Sequence, residues 1–253
     1  MDINVEQKVY KDGDDELKGL LAYPKNVNTK LPTVLIFSAL YGKGDHEEET
    51  AKMLAKLGFV ALAADVYGDG KLFESREEAF AELNKYREAR STRLRNRLLA
   101  AVNFVKSLPN VDEEKINAIG FCFGGLCSLD LIRINAVASA VSFHGAFQPI
   151  DGETNFDELD PINGRLVICH GDLDTHVEPT VEAFVEELRA RKADFQFIRY
   201  ANALHGFTMK PHTTAGIPGV GYHELTAKRS KLAMLLLFNE LYGLPKLSDL
   251  DRI

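Results

Sequence analysis

Apolar residues along this chain gather in short unbroken runs, which alternate with longer stretches whose apolar positions recur at helical spacing. Residues 5–10 and 17–23 flank the polar turn Lys11-Asp12-Gly13-Asp14-Asp15 and predict an antiparallel hairpin. Thr33-Val34-Leu35-Ile36-Phe37 is apolar throughout, as a strand buried on both faces requires. Further buried strands are predicted over 59–66, 115–121, 137–143, 165–169 and 195–200. Helices are predicted from Asp45, paired with Glu48 as in a capping box, to Gly58, and from about Glu77 to Ser107. Three more fit 124–134, 178–192 and 223–242. This alternation predicts an α/β fold: a mostly parallel central sheet, helices on both faces and an antiparallel N-terminal hairpin at the edge. No repeat or low-complexity linker divides the sequence, so a single domain over 1–253 is expected. The long irregular segments, 148–163 and 211–221, have the length of loops that shape a site.

Composition narrows the function classes. The chain has 253 residues, 45% of them hydrophobic, enough for a sizeable core. Its formal charge of -7 argues against nucleic acid, which needs clustered Lys and Arg. No stretch approaches the roughly 20 apolar residues of a membrane span. The opening residues 1–6 lack the basic and then apolar pattern of a secretory signal. Cys122, Cys127 and Cys169 form an odd set without metal-ligand spacing, which fits a reducing cytoplasm.

Chemistry enters at Gly120-Phe121-Cys122-Phe123-Gly124-Gly125, between a predicted strand and a predicted helix. This G-x-C-x-G is the thiol version of the nucleophile elbow G-x-S-x-G. An elbow places its nucleophile on a sharp, strained turn, where side chains at the flanking glycines would collide with neighbouring backbone. A cysteine there also sits at a helix N-terminus, whose dipole and free amides favour the thiolate. The amide of Phe123 would point to where an oxyanion forms.

Such a nucleophile needs an acid and a histidine later in the chain, each following a strand. His170-Gly171-Asp172-Leu173-Asp174-Thr175-His176-Val177 follows the strand at 165–169, and Ala203-Leu204-His205-Gly206-Phe207 follows the last one. His205 would take the proton of Cys122 and return it to a leaving group, with Asp174 holding the ring. The G-x-x-D spacing from Gly171 favours Asp174 over Asp172, which reads as a turn residue. His46 and His223 stand near helix starts, His212 lies in a predicted loop, and His144 and His170 end strands.

With these residues assembled, the chain resembles the dienelactone hydrolase (carboxymethylenebutenolidase) family of α/β-hydrolases over nearly its whole length. Asp65-Val66-Tyr67-Gly68 and Pro109-Asn110-Val111-Asp112 are similar to family patterns as well. The resemblance implies a triad of Cys122, Asp174 and His205 and an oxyanion hole from the amides of Phe123 and Leu40, with Tyr41 on the substrate side. It departs from the family at two places. Dienelactone-cleaving members carry a thiol-activating glutamate where this chain has Ala39, and a carboxylate-gripping arginine where it has Met209, beside Lys210. Arginine is the better planar partner for a carboxylate, so the reaction class follows from the resemblance and the namesake substrate does not. Arg76 is the remaining candidate for a carboxylate contact.

The expected activity is hydrolysis of a small carboxylic ester or lactone through an acyl-enzyme, with no metal or cofactor required. A thioesterase on the same triad is the nearest alternative, and a ligand-binding hydrolase scaffold without turnover is another. A redox role pairing Cys122 with Cys127 is geometrically poor, because five residues along a helix put the two thiols on different faces.

Overall fold

The computed structural model describes residues 1–210 and 216–246, so His212 and part of the second long loop lie outside the described residues. Eight strands form one sheet in the order β1-β2-β4-β3-β5-β6-β7-β8. β1 (Ile3–Asp12) and β2 (Asp15–Pro24) make the antiparallel hairpin, and β2 docks antiparallel on β4 (Val60–Ala63). From β4 onward neighbouring strands run parallel: β3 (Leu31–Phe37), β5 (Val111–Phe121), β6 (Ser139–Phe143), β7 (Arg165–Gly171) and β8 (Asp194–Tyr200).

Helices bury both faces, which is why the central strands have no polar face. On one side α1 (Asp45–Lys56) and α6 (Glu224–Tyr242) pack Ala51, Leu54, Met234 and Phe238 against the sheet. On the other side α2 (Arg76–Arg87), α3 (Arg95–Lys106), α4 (Phe123–Arg133) and α5 (Val181–Ala190) contribute Leu83, Leu98, Leu126 and Phe184. This is the α/β-hydrolase fold. Among the described residues no helix is long and apolar enough to cross a membrane.

Three of the departures from the expected bounds have a clear local setting. β4 is only four residues long because the Asp65 carboxylate accepts from the amides of Lys18, Gly68 and Gly70 and turns the chain out of the sheet. The helix expected over 77–107 is broken by a π-helical turn at Arg90–Leu94. There the buried Arg90 side chain is drawn to Asp130 and to the carbonyls of Gln148 and Pro149. The segment from Glu178 opens as a 3-10 turn, Glu178–Thr180, before α5 begins.

The irregular segment 148–163 carries two short 3-10 turns, Ile150–Gly152 and Phe156–Glu158. A buried ionic cluster pins it: Arg133 pairs with Glu187 at 2.7 Å, and Arg191 donates to the Asp160 carbonyl. Parallel register then aligns the strand ends. Phe37 stands opposite Gly120, Phe121 opposite Phe143, and Phe143 opposite Cys169. The loops that follow all open at the carboxyl edge of the sheet, where open α/β sheets hold their ligands.

Candidate active site

β5 passes into α4 through one residue. Cys122 has φ +53° and ψ −108°, a conformation that costs a non-glycine residue on the order of 1–3 kcal/mol. The glycines on either side are sterically obligatory. A Cβ on Gly120 would sit 1.9 Å from the carbonyl oxygen of Gly124, and one on Gly124 would sit 2.0 Å from that of Phe37. Hydrogen bonds offset the strain. The Cys122 amide donates to the Phe143 carbonyl at 3.0 Å and to His144 Nδ1 at 3.1 Å, while its own carbonyl accepts from Gly125 and Leu126.

Beyond β8, His205 turns its ring toward the thiol, with Nε2 3.1 Å from Cys122 Sγ. Its Nδ1 lies 2.7 Å from Asp174 Oδ2, and Asp174 is fully buried in the turn after β7. The second oxygen of Asp174 accepts from the His176 amide at 3.2 Å. Asp172, the other acid of that turn, is exposed and faces Arg199 at 3.7 Å. The backbone of residues 217–221 clamps His205: its amide donates to the Gly219 carbonyl and its carbonyl accepts from the Gly221 amide.

The two partners shift in opposite directions. Burial opposes an ionised Cys122, but the charge and hydrogen bond of His205 and the amide of Phe123 outweigh it and hold the thiol below its ordinary range. Burial likewise opposes a charged His205, yet Cys122 and the hydrogen bond to Asp174 push its pKa up to about 10. Shifts in opposite directions on a buried thiol and imidazole both favour the thiolate–imidazolium form of the pair. Cys127 behaves otherwise: burial, then nearby Asp130, raises its thiol well above the ordinary value. All three cysteines are free.

The wall facing the thiol comes from the loop after β3. The Leu40 carbonyl accepts from the Tyr67 hydroxyl at 2.9 Å, and the Tyr67 ring stacks on Phe123 with centroids 6.0 Å apart. Glu47 of α1, 2% exposed, accepts from the amides of Gly44 and Ala39 and so fixes the same loop from below. Burial pushes its carboxyl up to about 7.

These residues surround a cavity of about 310 Å³ that is predominantly apolar. Leu40, Tyr41, Cys122, Phe123 and His205 all line it, as do Ala39 and Met209 at the two places where the family pattern is broken. Arg76 lines it too, its guanidinium 5.3 Å over the Phe80 ring. Sequence reasoning missed Phe80, Leu83 and Arg87, which complete the wall formed by α2. Their signal was present: with Arg76 they recur at positions i, i+4, i+7 and i+11, one face of a helix. His176 was also passed over. It meets His205 edge-on at 6.0 Å and donates from Nε2 to the Pro218 carbonyl.

Comparison with known proteins bears directly on this site. The sequence profile of the dienelactone hydrolase family matches residues 17–242, which include the elbow, the acid turn and the histidine loop. The chain belongs to the dienelactone hydrolase family. A solved dienelactone hydrolase-like promiscuous phosphotriesterase from metagenomic libraries superposes with a TM-score of 0.87 and 34% identity, covering 94% of this chain and 98% of that one. An uncharacterized protein of Caenorhabditis elegans is 43% identical over 157 residues, 61% of this chain and 98% of its own length. A protein of Synechocystis sp. named as a carboxymethylenebutenolidase is 28% identical over 201 residues, 76% of this chain and 81% of that protein. As a dienelactone hydrolase family member, the chain is a carboxylic ester hydrolase. Its cavity accordingly has the size and apolar character of a small-ester site.

Proposed function

We propose that this dienelactone hydrolase family member cleaves small esters or lactones by covalent catalysis, with Cys122 as nucleophile, His205 as base and acid, and Asp174 as the group that orients His205. The observation that carries this reading is the 3.1 Å approach of His205 Nε2 to a cysteine sulfur held at positive φ on an elbow. The thiolate attacks the substrate carbonyl, and the resulting oxyanion is held by the amides of Phe123 and Leu40. The tetrahedral intermediate collapses as imidazolium His205 gives its proton to the departing alkoxide, leaving a thioester on Cys122. Neutral His205 then takes a proton from water, the hydroxyl adds to the thioester carbonyl, and the thiolate leaves with the acid product. Asp174 keeps the proton-bearing Nδ1 aimed away from the thiol throughout.

Tyr41, beside Leu40 in the cavity wall, is assigned to substrate contact. The predominantly apolar lining favours an acyl group of a few carbons, uncharged at the end where Met209 stands. The metagenomic relative supports a second substrate class for the same nucleophile, neutral phosphotriesters, whose tetrahedral centre resembles the carboxylic intermediate.

The test is hydrolysis of p-nitrophenyl acetate, butyrate and octanoate by the native protein and by Cys122→Ala. The expected outcome is turnover that favours the two short esters and falls by at least about 100-fold in the variant. Stoichiometric iodoacetamide should abolish it as Cys122 becomes alkylated, located by peptide mass mapping. Undiminished turnover in the variant would falsify the assignment.

A further inference from the structure

His144 takes no part in the chemistry just described, yet it touches both of its partners. It is fully buried, directly follows β6, and has φ +40°. Its Nδ1 lies 3.1 Å from the Cys122 amide. An amide can only donate, so Nδ1 carries no proton. The ring proton is therefore on Nε2, which donates to the Thr208 hydroxyl oxygen at 2.7 Å. Thr208 belongs to the loop of His205, three residues further on.

The surroundings keep the ring in this one state. Phe207 meets it edge-on at 5.0 Å, His205 at 5.3 Å, and Phe121 lies 6.3 Å away. Burial first, then the neighbouring His205 and His46, hold its pKa well below the histidine range. A protonated ring would turn an N–H against the Cys122 N–H, so the contact exists only with the neutral imidazole.

We propose that His144 is a positioning residue that sets the distance between the Cys122 sulfur and His205 Nε2, gripping the nucleophile's peptide with one ring nitrogen and the base's loop with the other. A strained φ persists only where its surroundings over-determine it. The Phe143 carbonyl ties the Cys122 amide to β6 but not to the loop that carries the base. The second acceptor, the ring of the residue after Phe143, adds a contact that references the peptide to the loop carrying the base, because its other nitrogen holds Thr208. Errors of about 1 Å in such a separation cost about 100-fold in rate. The inference rests on the reading of Cys122 and His205 as nucleophile and base.

Three variants test it: His144→Phe, His144→Asn and Thr208→Val. Phenylalanine keeps the bulk and loses both hydrogen bonds. Asparagine offers an amide oxygen near the place of Nδ1 but falls short of Thr208, and valine removes only the hydroxyl. Each is measured for thermal stability, for kcat and KM on p-nitrophenyl acetate, and for the pH dependence of Cys122 alkylation by iodoacetamide.

The Phe variant should lose about 100-fold in kcat with KM held within about twofold, and its alkylation inflection should move up toward that of an ordinary thiol. The Asn variant should recover about tenfold of the loss, and the Val variant should lose about tenfold. Should the Phe variant fail to fold, the Asn and Val variants decide. Native kcat and a native alkylation profile in both of them overturn the proposal. So do losses that track melting temperature alone and leave the alkylation profile unmoved. Failure of the underlying reading looks different: the native protein itself would show an ordinary thiol profile and no turnover.

Discussion

The Tyr67 hydroxyl donates to the carbonyl oxygen of Leu40 across 2.9 Å, so a residue from the loop after β4 holds the peptide that follows the proposed oxyanion donor after β3. The stacking of the same ring on Phe123 places one side chain against both halves of that wall.

Tyr67→Phe retains the stacking and removes only this hydrogen bond. Loss of one neutral hydrogen bond costs about 1 kcal/mol of stability, readable by chemical denaturation. Because the bond fixes a wall contacted only as charge develops on the carbonyl, kcat for a p-nitrophenyl ester should fall about fivefold with KM little changed. An increase in KM alone would assign Tyr67 to substrate binding instead.

The opposed shifts of Cys122 and His205 set a pH window. Cys122 is held below its ordinary value of 9.0 and His205 is raised to about 10, so the ion pair dominates between the two apparent values, which belong to the pair. Alkylation of Cys122 should therefore stay fast well below pH 9, and hydrolysis should decline above about pH 10 as the imidazolium loses the proton owed to the leaving group. In His205→Ala the lowering partner is gone while burial remains, and the inflection should move above 9.0. An inflection unmoved by this substitution would remove His205 as the source of the thiolate.

Glu47 gives stability a pH dependence of its own. Its folded pKa of about 7 exceeds the ordinary 4.5, so its contribution is fully present below 4.5 and is lost as pH rises through 7. The span corresponds to about 3 kcal/mol. Glu47→Gln stays neutral and can still accept one amide, so it should flatten denaturant stability between pH 5 and pH 8 and match or exceed the native protein at the upper end. An identical slope in variant and native protein would place the dependence elsewhere.

The mostly parallel sheet with its N-terminal hairpin, the helices on both faces and the approach of Cys122, Asp174 and His205 were legible in the chain for a physical reason. Buried parallel strands impose continuous apolar runs, and an elbow imposes glycines at fixed offsets. The G-x-x-D spacing singled out Asp174, which is buried beside His205, while Asp172, two residues earlier, is exposed. The break at Arg90–Leu94 was not. It arises from a guanidinium drawn to Asp130, forty residues away, and no local Gly or Pro announces it. His144 was invisible for a similar reason. A histidine ending an apolar run looks the same whether its ring packs idly or grips a backbone amide 22 residues away.

The division of labour between α2 and the strand ends has a consequence for how this protein can change. The reacting groups sit at the carboxyl edge of the sheet, where register and close backbone packing leave little freedom. The opposite wall is one face of a peripheral helix, read through Arg76, Phe80, Leu83 and Arg87. Three of these, Arg76, Phe80 and Arg87, are exposed enough that replacing them disturbs no core. Substrate preference can therefore drift by single substitutions on α2 while the reaction itself is inherited intact, a scaffold in which selectivity and chemistry evolve on separate clocks.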